Sequence, residues 1–490
     1  MTRGAITMWS ATGVEVTNVI TSHSAMWRSR RALFVGLLLV GCLLRLGYGV
    51  ARHHDAFALT GRDFIAQWDY DALEHVLIAR SLIVNGAYRV DDFEGRATIR
   101  SGPHDALFKA PLYQYLLAGV FAISGFNFAL FFPLQSLIGG AASGLAGLVA
   151  LDLSGRRSVA AFSGLAAAGH PILVNAASQP YNENVFVALM LASIWAFLRW
   201  LATARPAWAA ACGLCAGLAI LCRESAVPLL AGMALFAAVR RPAGTRRSLA
   251  AAGVITGLAV AVVMPWCLRN YRRQGVVVPV SAITGSALAI GNNECLAAQP
   301  FLSWYYADGP CEPLNVKRER VFATIPEEQF LNRVVRNRVN RALAIDFVSA
   351  HPLSYARLTL QRAWTLFLPF HPRQDLGRVQ RAALLVYWLG VIPAGLAGAA
   401  FFARRPPHPW LLMTMVAAML APEVLVYISA DMRLRAPADV LLAPFAACLY
   451  VEVIRSARRL PLRASPTTAA STPGGHGGPR GASGPLDESS

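Results

Sequence analysis

The chain has 490 residues, 55% of them hydrophobic and only 15% charged, against about 25% charged in a soluble domain. That balance excludes an ordinary soluble enzyme and points to a helical protein that crosses the bilayer many times. The formal net charge of +18 does not call for nucleic acid, since no soluble basic module accompanies it; cytoplasmic loops of membrane proteins carry excess Lys and Arg, and lipid phosphates attract the remainder.

Arg28, Arg30 and Arg31 precede the first apolar run, residues 32–50. That run is too long for a signal-peptide core, and no small-residue cleavage site follows it. Residues 1–31 are therefore expected as a cytoplasmic N-terminus, weakly ordered through residue 25, with Met26 resembling a natural start. Further spans are expected near 128–152, 159–174, 185–201, 208–221, 225–240, 248–267, 381–402, 410–428 and 438–454. The fold class is thus all-α and polytopic, with about ten transmembrane helices inside 32–455 and interfacial helices in the large outer loops. Residues 110–124 are apolar but short, which suits an interfacial or re-entrant segment; 208–221 and 225–240 also read as a broken pair. With the N-terminus inside, Arg156-Arg157, Arg205, Arg240-Arg241, Arg246-Arg247, Arg404-Arg405 and the group Arg455, Arg458 and Arg459 all fall on the cytoplasmic side, as the positive-inside rule requires. The tail 456–490, rich in Gly, Ser, Pro and Thr from 464 onward, is expected to be disordered.

The outer face then holds the first loop 51–127, the short loop 175–184, the large loop 268–380 and the turn 429–437. In the first loop, Asp71 leads a helix whose Leu73, Val76, Leu77, Leu82 and Ile83 fall on one stripe, so that helix is expected to lie in the membrane interface. A carboxylate in a first helical turn also suits the helix dipole, which is the capping alternative for Asp71. Asp71 and Glu183 are the candidate acid–base residues, with Asp63 and Asp69 as nearby rivals; His75, one turn on from Asp71, reads as an orienting or packing residue. Lys109, Arg223, Arg269, Arg433 and Arg435 lie at the outer membrane edge. Guanidinium forks match phosphate oxygens, so this set is expected to bind a lipid-borne phosphate, the alternative being snorkelling toward head groups. Cys295 and Cys311 sit in the large loop and are expected to pair if it faces an oxidising compartment, whereas the other six cysteines lie in apolar runs. Two carboxylates are able to bind Mg²⁺ or Mn²⁺, but no dense acidic cluster is present and no metal ligands are assigned.

The motifs carry a resemblance. Asp71-x-x-x-His75-x-x-x-Ala79-Arg80 followed by Gly86 resembles the first-loop motif of the C-type membrane glycosyltransferases, the polyprenyl-phosphate-sugar-dependent enzymes related to protein O-mannosyltransferases and to the aminoarabinose transferases of lipid A. Phe108-Lys109-Ala110-Pro111-Leu112-Tyr113, His170-Pro171 with Glu183, Arg223 after a glycine-rich span, Pro265-Trp266 through Arg269-Asn270-Tyr271, Gly291-Asn292-Asn293, His351-Pro352 and Arg433-Leu434-Arg435-Ala436-Pro437 resemble further family elements in the same order. Three departures are Glu183 where many relatives have Asp, Ala110 between Lys109 and Pro111, and His75 in place of the commoner Tyr.

The resemblance implies sugar transfer from a polyprenyl-phosphate donor, with inversion, to an envelope glycan, lipid or protein at the outer face of a bacterial inner membrane. It implies Asp71 as the main catalytic residue, Glu183 as its assistant, and Lys109, Arg223, Arg433, Arg435 and Arg269 as donor-phosphate contacts. A flippase for a lipid-linked sugar would instead show charges near span midpoints and repeated halves, whereas here charges are read mainly at span ends and no internal repeat is seen. A non-catalytic envelope assembly partner is the other alternative.

Overall fold

The computed structural model describes residues 19–56, 58–68, 70–91, 106–298, 312–325, 332–370, 377–403, 408–426 and 432–459, with no strand among them. The chain forms a body ending at Val451 and a second unit from Glu452 onward. The described part of that second unit is a helix end in which Arg455 pairs with Glu452 at 3.8 Å; the expected disordered tail beyond it lies outside the described residues.

Helix α1 (Val19–His53) begins earlier than the expected weakly ordered N-terminus would allow. After the short α2 (Gly61–Ala66) and α3 (Tyr70–Asn85) come α4 (Pro111–Ser124), α5 (Phe128–Ser154), α6 (Arg157–Ala168), α7 (Pro171–Ala177), α8 (Glu183–Thr203), α9 (Pro206–Cys222), α10 (Val227–Arg240) and α11 (Thr245–Gln274). The large loop after α11 carries α12 (Thr284–Gly291), α13 (Glu294–Ala297), α14 (Glu312–Phe322), α15 (Arg333–Ala350) and α16 (Pro352–Leu366); α17 (Arg378–Phe402), α18 (His408–Leu425) and α19 (Met432–Arg459) follow.

Among the described residues, six helices are long and apolar enough to cross a membrane: those within Ser29–His53, Phe128–Ser154, Glu183–Thr203, Thr245–Gln274, Arg378–Phe402 and Met432–Arg458. The pair α6 and α7, bent by 50°, makes a seventh if it counts as one span. Among the described residues of this multi-pass membrane protein, helix length therefore does not confirm ten spans. The shortfall lies in the segments near 208–221, 225–240 and 410–428. At about 1.5 Å per residue, helices of 17 and 14 residues fall short of a hydrocarbon core about 30 Å thick. The break between α9 and α10 has a local cause: Arg223 takes an extended conformation, φ −151° and ψ 125°, and a 3-10 turn follows at Glu224–Ala226.

Helix α3 corrects another expectation. It is not an amphipathic helix lying in the interface, because every residue from Ala72 to Ala79 is buried and only its far end, with Ile83 and Val84, is exposed. The polar side of the stripe is covered as well, since α4 packs along α3.

The contact between α1 and α5 anchors the inner part of the body. A Cβ on Gly140 would stand 2.5 Å from the carbonyl oxygen of Leu38, and one on Gly139 would stand 2.2 Å from Nε of Arg45. Arg45, fully buried in α1, has no carboxylate partner among the described residues. Its guanidinium donates to the carbonyls of Gly41 (3.0 Å), Ala168 (3.2 Å) and Ala167 (3.2 Å), and to Oδ1 of Asn184 (3.3 Å). Carbonyls at a helix end have no intrahelical donor, so a charge inside a span becomes tolerable by capping α6 where the bent pair breaks. Asn184 in turn donates to the Leu173 carbonyl at 2.9 Å, which fixes the start of α8.

Replacing Gly140 by Leu should push α1 off α5 and cost about 1–3 kcal/mol through overpacking. The expected readout is a drop of several degrees in the thermal unfolding of the detergent-purified chain, and an unchanged midpoint would contradict so close a helix contact.

Candidate active site

Four tethered segments build one cleft. Gly86 ends α3 with φ +61°, a left-handed turn that favours glycine, and delivers Tyr88 to the next segment. The Tyr88 hydroxyl donates to the carbonyls of Lys109 (3.0 Å) and Ala110 (3.3 Å), and Ala106 N donates back to the Tyr88 carbonyl at 2.9 Å. Lys109 is thereby fixed before Pro111 opens α4. The loop before α8 is tied to the end of α9, since Asn182 Nδ2 donates to the Cys222 carbonyl at 3.1 Å; this places Glu183 near Arg223. The segment after α11 is held by Trp266 Nε1 on the Val280 carbonyl (2.8 Å), by Asn270 Nδ2 on the Val278 carbonyl (2.9 Å) and by Ala282 N on the Leu107 carbonyl (2.5 Å). Arg433 enters from the first turn of α19.

The resulting cleft encloses about 190 Å³ and is lined by Asp71, His75, Lys109, Tyr181, Glu183, Arg223, Glu224, Ser281 and Arg433, among others. Lys109 Nζ donates to Asp71 Oδ1 at 2.9 Å and stands 3.3 Å from Glu74 Oε2. Arg433 donates to Asp71 Oδ2 at 3.2 Å while its guanidinium lies over the Tyr181 ring, 4.7 Å from its centre. The two acids beside Lys109 differ in access. The Asp71 side chain is 46% exposed, whereas that of Glu74 is 4% exposed, so only Asp71 can meet a substrate and Glu74 serves as a closed counter-ion. Lys109, aided by Arg433 and resisted by burial, holds the Asp71 carboxyl well below the usual carboxylate range. Burial alone would weaken the Lys109 ammonium, but Asp71 and Glu74 together raise its pKa above the ordinary value.

His75 is buried, its Nδ1 is 2.8 Å from Gln114 Nε2, and its ring meets Tyr113 edge-on at 5.1 Å. Burial first, and then the Lys109 charge, push it well below the usual imidazole range. It is a neutral packing residue, in line with its sequence reading. Glu183 is buried at the head of α8, with Oε1 3.9 Å from an Arg223 nitrogen and Oε2 lacking any hydrogen-bond partner among the described residues. That oxygen is itself buried in the cleft wall, so a substrate hydroxyl would reach it only if the side chain turned toward the cleft.

The structure gathers Asp71, Glu183, Lys109, Arg223 and Arg433 around this cleft and leaves two predicted phosphate contacts outside its lining. Arg435 is 3% exposed; it donates to Asp439 Oδ2 at 3.0 Å and to the carbonyls of Leu366 and Leu368, so its donors close the end of α16. Arg269 is stacked on Trp266 (4.5 Å) and Tyr88 (5.7 Å) and donates to Asn270 Oδ1. Of the rival acids, Asp63 is exposed and Asp69 lies outside the described residues. Cys295 is disulfide-bonded, but Cys311, its expected partner, lies outside the described residues. Glu74 is not singled out by the sequence reading, and Glu224 stands there only as a charge beside Arg223 at the membrane edge. Glu74 was findable, because a residue three positions from Asp71 on a helix shares its face. No group of three His, Cys, Asp or Glu able to hold a metal is present among the described residues. A Mg²⁺ or Mn²⁺ at Asp71 would have to displace Lys109 or Arg433, or draw its oxygens from substrate.

Residues 108–268 match the family of dolichyl-phosphate-mannose-protein mannosyltransferases, about a third of the chain. The match runs from the Lys109 segment to the end of the α11 span and bears out the resemblance to C-type membrane glycosyltransferases. No curated protein matches the chain. Among solved structures, the chain is similar to the Archaeoglobus fulgidus oligosaccharyltransferase in the apo form, at 14% identity and TM-score 0.49, over 88% of this chain and 51% of that one. It is also similar to ArnT from Cupriavidus metallidurans bound to undecaprenyl phosphate, at 18% identity and TM-score 0.37, over 87% of this chain and 78% of that one. The chain thus spans about half the length of the first of these.

The depressed acidity of Asp71 predicts a signed pH effect. Its ion pairs contribute stability that is present above the unfolded carboxylate value of about 4 and is lost as pH falls through the lower folded value. Asp71→Asn should therefore unfold at a lower temperature than the natural chain at pH 7, with the gap shrinking as the pH is taken from 5 to 3; a gap constant with pH would contradict the ion-pair assignment.

Proposed function

We propose that this cleft transfers a sugar from a polyprenyl-phosphate carrier to a nucleophile on a cell-envelope acceptor, at the outer face of a bacterial inner membrane. The observation that carries the reading is the cleft-facing Asp71 carboxylate held between Lys109 and Arg433. The family match supports the donor class. The basic clusters at the opposite span ends support the side, since cytoplasmic loops carry them. So does the disulfide-bonded Cys295, because such bonds persist in oxidising compartments.

The chemistry follows from competition for cations. At rest Asp71 is anionic and a weak base, because two cations stabilise its charge. A donor phosphate entering the cleft offers stronger bidentate acceptors to Arg433, Lys109 and Arg223. As these turn to the phosphate, Asp71 loses its counter-charges and its basicity rises. The acceptor oxygen or nitrogen then attacks the anomeric carbon and its proton passes to Asp71. The bond from that carbon to the phosphate oxygen breaks, and the electron pair stays on the phosphate. That leaving group gathers negative charge and needs cations more than a proton, which Lys109, Arg433 and Arg223 supply in a partly water-excluded site. Glu183 accepts from a substrate hydroxyl and fixes its approach. One displacement at one carbon inverts its configuration.

Among the buried charges inside spans, Arg45 has its donors directed at backbone carbonyls and Asn184, Asp439 accepts from Arg435 and Asp152 pairs with Arg30; each is committed to the protein itself, which favours transfer over flipping of the lipid.

In membranes supplied with radiolabelled polyprenyl-phosphate sugars, Asp71→Asn should lower transfer at least about 100-fold at matched protein level, and Lys109→Met should lower kcat while raising the donor KM. Equal transfer by the natural chain and Asp71→Asn would remove Asp71 from the mechanism.

A further inference from the structure

One wall of the cleft is not used by the mechanism above. Glu224, in the 3-10 turn after α9, faces the cleft together with Ser225 and Ser281. Ser281 Oγ donates to Glu224 Oε2 at 2.7 Å and Thr284 Oγ1 donates to Oε1 at 3.1 Å. Among the described residues this carboxylate makes no ion pair, although Arg223 precedes it in the chain, and burial raises its pKa above the usual carboxyl value. The cleft therefore holds two kinds of carboxylate. Asp71 is committed to cations, whereas Glu224 is committed to hydroxyls, one on each oxygen.

A carboxylate oxygen has two lone pairs, so after the hydroxyls of Ser281 and Thr284 and the Ser281 backbone N–H are counted Glu224 still has acceptor capacity left for a substrate donor. Glu224 is only partly covered, and a half-buried carboxylate without a cation is favoured by further hydroxyl or amide donors. The donors that fit are vicinal hydroxyls, which span the two oxygens of one carboxylate and leave its charge in place. The neighbouring hydroxyls of Ser225 and Ser281 add donors and acceptors to the same wall. Because Arg223 and Glu224 are consecutive, a phosphate held by the first lies close to groups held by the second.

Building on the glycosyl-transfer reading, we propose that Glu224, with Ser281 and Ser225, forms the subsite that binds the hydroxyl groups of the donor sugar and sets which sugar is accepted. A site built to hydrogen-bond a substrate hydroxyl strongly rejects an analogue lacking it, because the buried polar partner is left unsatisfied. The plain alternative is that Glu224 only tethers the 281–284 segment to the end of α9.

The test is equilibrium binding to the full-length chain in nanodiscs, comparing a polyprenyl-phosphate hexose, its monodeoxy derivatives and sugar-free polyprenyl phosphate, for the natural chain and Glu224→Gln. The subsite predicts that Glu224→Gln weakens the sugar-bearing lipid about tenfold or more and leaves the sugar-free lipid unchanged. It further predicts one monodeoxy donor that binds poorly to the natural chain and loses nothing more in Glu224→Gln, because mutation and deoxygenation remove the same contact. Equal weakening of both lipids would reduce Glu224 to a tether, and no weakening of either would remove it from donor binding, including the case in which its partner is an acceptor hydroxyl. A natural chain that binds neither lipid would overturn the glycosyl-transfer reading itself.

Discussion

The site depends on Lys109 being clamped between two carboxylates, Asp71 and Glu74, on successive turns of one helix. A mostly buried ammonium needs counter-charge to stay protonated, and only one of its two acids is open to the cleft. That inequality divides the labour. Glu74 keeps Lys109 charged whatever happens in the cleft, and so leaves Asp71 free to be exchanged for a phosphate. With Asp71 as sole partner, any ligand that took Lys109 would have to bear the full cost of separating the pair.

The rest of the scaffold keeps that exchange in register. Tyr88, Asn182, Trp266 and Asn270 each spend a side-chain hydrogen bond on a backbone carbonyl of another segment. The loops bearing Lys109, Glu183 and Ser281 are thus tied to helix ends. Deeper in the body, Arg45 caps the broken α6–α7 span and holds Asn184, so the position of Glu183 rests on a guanidinium inside α1. A charge that sequence alone would flag as part of a transport path serves here as a fastener.

Much of this was legible in the chain. Long apolar runs gave their spans because hydrophobic length is a local property, and Asp71, Lys109, Glu183, Arg223 and Arg433 do meet around one cleft as expected. The losses were in what neighbours decide. The apolar stripe of α3 reads as a membrane-facing surface, but α4 covers the other side and the helix is buried. Arg433 and Arg435 are two residues apart, so roughly 200° separates them around a helix; one points to Asp71 and the other to the carbonyls ending α16, and spacing cannot say which. Arg269 is drawn onto Trp266, three residues earlier on the same helix, and onto Tyr88 from a distant segment. Ten spans are not confirmed because the helices on either side of Arg223 and Glu224, and the one near 410–428, are short.

The most direct test of the cation exchange is the affinity of sugar-free polyprenyl phosphate for the natural chain and for Asp71→Asn, in nanodiscs at fixed salt. If Asp71 and phosphate compete for Lys109 and Arg433, removing the carboxylate charge tightens phosphate binding, by roughly two- to fivefold for a half-exposed pair. Weaker or unchanged binding by Asp71→Asn would contradict the competition on which this account rests.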